Sequence, residues 1–283
     1  MQQCFSSDMQ KLFTKILVPV NFNRNTSWAV DKSIQLANKF NCDILLLNVQ
    51  PVSSFYNLFF SDHYTETSIN AAVIKMKKLE QQHRSKLKEG SLMTSAVLAG
   101  NWQSVLKDVI IAEHIDLTII PRGNSKLNNV VIRHININKL SQQTNCPVMT
   151  MTRNFNANHL QNIVVPVHDL LPVKKLTIAT YLSLETNARI YLVGGDDQAT
   201  GKMDGYLMKA YQLLNELGKL NIQCALGNND HTATETLAYA KEIKANLIVV
   251  NPGQESRLKG WWNQLRGKYL CRESDIPVLT VAL

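Results

Sequence analysis

The feature that most constrains this chain is that it repeats itself. Ile16-Leu17-Val18-Pro19-Val20-Asn21 is echoed by Ile163-Val164-Val165-Pro166-Val167-His168 at an offset of 147. Phe40-Asn41-Cys42-Asp43-Ile44-Leu45-Leu46 is echoed by Thr186-Asn187-Ala188-Arg189-Ile190-Tyr191-Leu192 at an offset of 146. Leu117-Thr118-Ile119-Ile120 matches Leu247-Ile248-Val249-Val250, and Cys146-Pro147-Val148-Met149-Thr150 matches Ile276-Pro277-Val278-Leu279-Thr280, both 130 apart. Four matches in the same order mean two copies of one unit. The offset falls by 16 between the second and third matches, so the first copy carries extra residues, placed in the segment 51–70. A length of 283 residues agrees with two domains. We divide the chain into domains 1–153 and 154–283, joined near 153–158.

Within each copy, short β-branched runs alternate with helical stretches. Residues 16–20 are apolar without polar alternation, as expected of a strand buried on both faces of a parallel sheet. Residues 26–38 place Trp28, Val30, Ile34 and Ala37 at helical spacing, with Thr26 or Ser27 as the N-cap. Further strands are predicted at 44–49, 93–98, 117–120 and 148–151, and further helices at 73–88, 102–114 and 130–144. The second copy reads the same way: strands at 162–167, 188–193, 221–226, 247–250 and 278–281, helices near 172–184, 203–217, 232–243 and 263–272. Such alternation builds a doubly wound, mostly parallel sheet. Its ligands sit at the carboxyl ends of strands near a topological switch point. The functional question narrows to the loops after strands one and four of each copy.

Composition excludes several classes. Hydrophobic residues make up 45% and charged residues 18%, which is incompatible with a disordered chain. The cysteines Cys4, Cys42, Cys146, Cys224 and Cys271 are odd in number and form no CxxC pair, which argues against a disulfide framework or a metal site. Cys42 and Cys146 flank apolar runs and read as small buried residues. There is no signal-peptide pattern and no apolar stretch long enough to span a bilayer, so the expected location is cytoplasmic and off the membrane. The net charge of +8 lies almost wholly in the first copy: residues 1–153 hold 17 basic and 10 acidic residues, the remainder 13 and 12. The excess is spread rather than condensed, and nucleic acid is not an expected partner.

The runs ILVPV and IVVPV, DILLLNV, AEHIDLTII and AKEIKANLIVV, and the closing CPVMTM and IPVLTVA resemble the universal stress protein family in its tandem form. The resemblance covers about 11–152 and 159–283. It implies two tandem flavodoxin-like, Rossmann-like α/β sandwiches of the adenine nucleotide alpha hydrolase-like type, with five parallel strands each. It implies that the copies pair through their terminal strands, 148–151 and 278–281, as an internal pseudo-dimer, with a homodimer as a further form of self-association. An exposed strand edge invites such pairing.

Many members of that family bind ATP with an Asp at the end of strand one and a loop after strand four of the form G-x2-G-x9-G-(S/T). Glycines in such a loop let backbone N–H groups approach phosphate oxygens. Here the acid position is Asn21 in the first copy and His168 in the second, with Asp169 beside it. The loop positions fall on Pro121, Asn124, His134 and Ile135, and on Asn251, Gln254, Gln264 and Leu265. A slip of two residues puts Gly123 or Gly253 first. In the second copy it adds Ser256 and Gly267-Lys268, one residue too long. The family-equivalent pocket is thus Asn21, Arg122, Gly123 and Asn124 in one copy and His168, Asp169, Gly253 and Ser256 in the other. ATP held in the family's usual manner is not expected, and no other cofactor is indicated.

Both loops are basic: Arg122, Lys126, Arg133, His134 and Lys139, then Arg257, Lys259, Arg266, Lys268 and Arg272. Side-chain charge could replace the lost glycines in an anion site; a solvated loop face is the simpler reading. His168-Asp169 has no nucleophile in a matching elbow and reads as a strand cap. Trp261-Trp262 reads as a core or interface pair, and Gly194-Gly195-Asp196-Asp197 as a turn. The aromatics of 51–70, Phe55, Tyr56, Phe59, Phe60 and Tyr64, read as packing or oligomer contacts. The expectation is a non-enzymatic stress-response binding or regulatory module with a lost or altered ATP site. The alternative is a nucleotide-binding protein or nucleotide hydrolase using the basic loop after strand four.

Overall fold

The computed structural model describes residues 11–23, 26–51, 62–122, 135–167, 171–194, 196–197, 202–203, 205–218, 220–226, 233–252 and 274–283. The first copy runs β1 (Lys15–Pro19), α1 (Thr26–Phe40), β2 (Asp43–Gln50), α2 (Asp62–Arg84), β3 (Met93–Ala99), α3 (Trp102–Ala112), β4 (Leu117–Arg122), α4 (Ile137–Thr144) and β5 (Val148–Thr152). A 3-10 turn, Ala157–His159, leads into β6 (Asn162–Pro166). The second copy continues with α5 (Val173–Thr186), β7 (Arg189–Gly194), β8 (Asp196–Asp197), β9 (Lys202–Met203), α6 (Gly205–Glu216), β10 (Ile222–Leu226), α7 (Ala233–Glu242), β11 (Leu247–Val250) and β12 (Val278–Thr280).

Ten strands form one sheet in the order β10-β7-β6-β11-β12-β5-β4-β1-β2-β3. Every neighbouring pair within a copy is parallel. The seam is different: β12 runs antiparallel to β5, with Leu279 opposite Met149. Thr150 Oγ1 donates to Val278 O across it at 3.2 Å. Because the seam strands are antiparallel, the carboxyl ends of one copy's strands lie beside the amino ends of the other's.

The apolar runs are continuous because both sheet faces are covered. Along β1, Ile16 and Val18 join the core beneath α1, α2, α5 and α6, while Leu17 joins the core beneath α3, α4 and α7. Both cores cross the seam. Phe13, Phe40 and the second copy's Tyr181 form an aromatic trio with centroids 5.6–6.0 Å apart.

Some elements depart from the pattern. The helix expected at 73–88 begins at Asp62 and ends at Arg84. Its first turns carry Thr67, Ser68 and Asn70, too polar for an apolar stripe to show in the sequence. Its end is set by i+3 turns from Lys86 N to His83 O and Leu87 N to Arg84 O. Thr26 is the first helical residue rather than a cap, and its buried Oγ1 has no hydrogen-bond partner among the described residues. Asp196-Asp197 is not a simple turn but one arm of a two-residue antiparallel ladder with Lys202-Met203. The expected helix at 263–272, Trp261-Trp262 and the aromatics Phe55, Tyr56, Phe59 and Phe60 lie outside the described residues, as does the side chain of Tyr64.

Candidate functional site

The carboxyl ends of β1 and β4 in the first copy, and of β6 and β11 in the second, are where a doubly wound sheet offers a ligand crevice. In the first copy, Asn21 follows β1 half-buried, and its Oδ1 accepts from Asn23 N at 3.3 Å, an Asx turn that holds the loop. Phe22 beside it takes a positive φ of 55°. Behind this turn a polar chain closes the strand ends. Buried Asn48 on β2 donates from Nδ2 to Val20 O at 2.7 Å. Its own Oδ1 accepts from Gln50 Nε2, and Gln50 Oε1 accepts from Ser68 Oγ at 3.2 Å.

At the end of β4, Arg122 pairs with Thr152 of β5. Its Nη1 donates across the seam to Ser274 O, a residue fully buried before β12. One of the two described family-equivalent residues, Asn21, therefore shapes the loop after β1, while the other reaches for the second copy. Gly123, Asn124, His168, Asp169, Gly253 and Ser256 lie outside the described residues, together with Lys126, Arg133, His134, Arg257, Lys259, Arg266, Lys268 and Arg272.

The second copy closes its strand ends with a different group. Lys175 on the first turn of α5 is 1% exposed and donates from Nζ to Pro166 O, the last residue of β6. Burial pushes its pKa down to about 7, so an amine that is ordinarily a firm cation is poised near neutrality. At the end of β11, Asn251 is 1% exposed; its Nδ2 donates to Val281 O at 2.8 Å, tying β11 to the segment after β12. Its Oδ1 has no hydrogen-bond partner among the described residues.

Sequence reasoning placed Asn251 in the loop pattern but missed Lys175 and Asn48. Lys175 was legible: Lys175, Ile178, Ala179 and Leu182 share one helical stripe, and all four are buried. Asn48 carried no such signal, since a polar residue inside a largely apolar strand does not declare its partner.

The described residues offer little for covalent or metal chemistry. No cluster of three metal-ligating side chains occurs among them. Burial pushes the thiols of Cys42 and Cys146 up to about 12, leaving them protonated and poorly nucleophilic. No helix among the described residues is long and apolar enough to cross a membrane.

The sequence model of the Universal stress protein family matches residues 12–151. No curated protein matches the chain. Among solved structures, a universal stress protein from Archaeoglobus fulgidus DSM 4304 superimposes with a TM-score of 0.70 at 15% identity, covering 96% of this chain and 98% of that one. A putative universal stress protein from Pseudomonas aeruginosa UCBPP-PA14 gives 0.62 at 14% identity, covering 95% and 93%. A functionally unknown protein from Pseudomonas aeruginosa PAO1 gives 0.62 at 15% identity, covering 95% and 92%. At these identities the superpositions establish the fold: an α/β arrangement with a mostly parallel central sheet, repeated in tandem.

Proposed function

Residues 12–151 belong to the universal stress protein family, and from that membership we propose that the chain is a non-enzymatic, cytoplasmic stress-response module that binds or regulates rather than transforms, with an ATP site lost or altered in both copies. The observation that carries this reading is that strand-end carbonyls in each copy are already engaged by the protein itself. Val20 O accepts from Asn48, and Pro166 O accepts from Lys175. The Asn48 and Lys175 donors are thereby committed to the protein, and a nucleotide that drew either donor away would leave a buried carbonyl unpaired at a cost of about 1–3 kcal/mol. Asn21, where relatives carry an acid, offers an amide already turned toward its own loop. We read the two halves as an internal pseudo-dimer joined through β5 and β12, which satisfies the terminal strands of both without a second chain.

The non-enzymatic part is tested by incubating the protein with ATP, GTP and acetyl phosphate in Mg2+ and reading phosphate and nucleoside diphosphate release. Release no faster than in buffer is expected. Turnover that disappears in Lys175→Met would replace this reading with a nucleotide hydrolase centred on the second copy.

A further inference from the structure

The two crossings of the seam are closed differently, and the difference leaves a cavity. The copies correspond at an offset of 130 through β4, β5, β11 and β12. Arg122 therefore corresponds to Pro252, and Ser274 to Thr144. On one side of the seam, Arg122 fills the gap between copies by donating to Ser274 O. On the other, Pro252 has no side-chain donor to reach Thr144 or Asn145. The gap there is a cavity of about 810 Å³, walled by the amino ends of first-copy strands and by α5 and the carboxyl end of β11. That volume falls within the roughly 300–1,000 Å³ of sites for small organic ligands.

Its walls are chiefly apolar: Phe13, Ile115, Leu171, Ile178 and Leu283 line it. Two polar groups give it direction. Lys174 donates from Nζ to Asn145 O at 2.8 Å and to Asn145 Oδ1, which uses two of the three ammonium donors. No carboxylate pairs with it among the described residues, and partial burial lowers its pKa. Asp116, the one acidic side chain among the described lining residues, is committed: its Oδ2 accepts from Thr14 N, Thr14 Oγ1 and Lys15 N. The second group is Asn251, buried to 1% exposure, whose Oδ1 has no donor among the described residues. The remaining charged residue, Lys175, is turned to Pro166 O.

We propose that this seam cavity is a binding site for a small amphipathic anion: an apolar, ring-sized body, one carboxylate facing Lys174, and one N–H or O–H donor facing Asn251 Oδ1. The site belongs to neither copy alone. It stands apart from the first copy's crevice at the ends of β1 and β4, adjoins the second copy's strand ends through Lys175 and Asn251, and needs no nucleotide.

Indole-3-acetate has all three features, and its close relatives remove them one at a time. Calorimetric titration should give one site per chain for indole-3-acetate. Tryptamine, with the same ring and the opposite charge, should bind at least about tenfold more weakly, and 1-methylindole-3-acetate, which lacks the N–H, about fivefold more weakly. Lys174→Gln, a change on the surface side of the cavity that leaves the core intact, should weaken indole-3-acetate about tenfold and leave tryptamine no weaker. No binding of indole-3-acetate at millimolar concentration, equal binding of the acid and the amine, or an unchanged affinity in Lys174→Gln would overturn the proposal.

Discussion

Among the described residues, Lys175 is the one whose chemistry departs furthest from its ordinary state. Its amine is stabilised in the neutral form by burial, with a pKa near 7 against about 10.4 in an unfolded chain. Between those values the unfolded chain holds a proton that the folded chain releases. Stability should therefore rise with pH from about 7 to about 10, and the penalty should be fully present below pH 7, where both states are protonated. Lys175→Met removes the titration. We expect the urea midpoint of the wild type to climb over that window by an amount on the order of 3 kcal/mol in stability relative to Lys175→Met. Parallel pH profiles for the two proteins would show that the amine is not held neutral. The residue's place on an otherwise apolar helical stripe was a signal that went unread, because two adjacent lysines near a helix start look like surface charge. Arg122 misleads in the opposite way: the family resemblance puts it in the expected pocket, but its guanidinium is engaged with Ser274 O across the seam. A one-dimensional pattern assigns a residue to a loop and is blind to what lies opposite that loop.

Elements were more legible than residues, for a physical reason. Strands buried on both faces are apolar along most of their length, so β1, β2, β4, β6 and β11 announced themselves with boundaries within two residues of the observed ones. Helices with a solvated face gave clear interiors and poor ends, as the early start of α2 shows. The short β8–β9 ladder looked like a turn because a two-residue strand has no periodicity to read. At this scale α5 is the element that couples the copies, since its Tyr181 packs on Phe13 and Phe40 of the first copy at 5.6 Å from each. Tyr181→Ala should cost about 3–5 kcal/mol, the usual range for truncating a buried aromatic. The loss should lower the urea midpoint read by far-UV circular dichroism and by tryptophan fluorescence together. A change confined to one probe, or smaller than about 1 kcal/mol, would mean that the trio does not bind the halves to each other.

At the scale of the molecule, the repeat in the sequence became one ten-stranded sheet with a single antiparallel seam. Antiparallel pairing turns each copy's strand ends toward the other copy, so the two sides of the seam inherit different residues from a repeat that has diverged. Arg122 closes one side and Pro252 leaves the other open. None of this was readable from either copy taken alone, because it depends on which residues the pairing brings face to face. The low glycine count, 12 in the chain, and Asn21 at the acid position were readable, and they agree with strand ends occupied by Asn48 and Lys175. The central proposal is that this fold does not hold ATP at those strand ends in the manner usual for the universal stress protein family. Isothermal titration of the full chain with Mg2+-ATP tests it most directly: no saturable heat is predicted with ATP in the micromolar range, and a Kd in the low micromolar range at one or two sites per chain would contradict it.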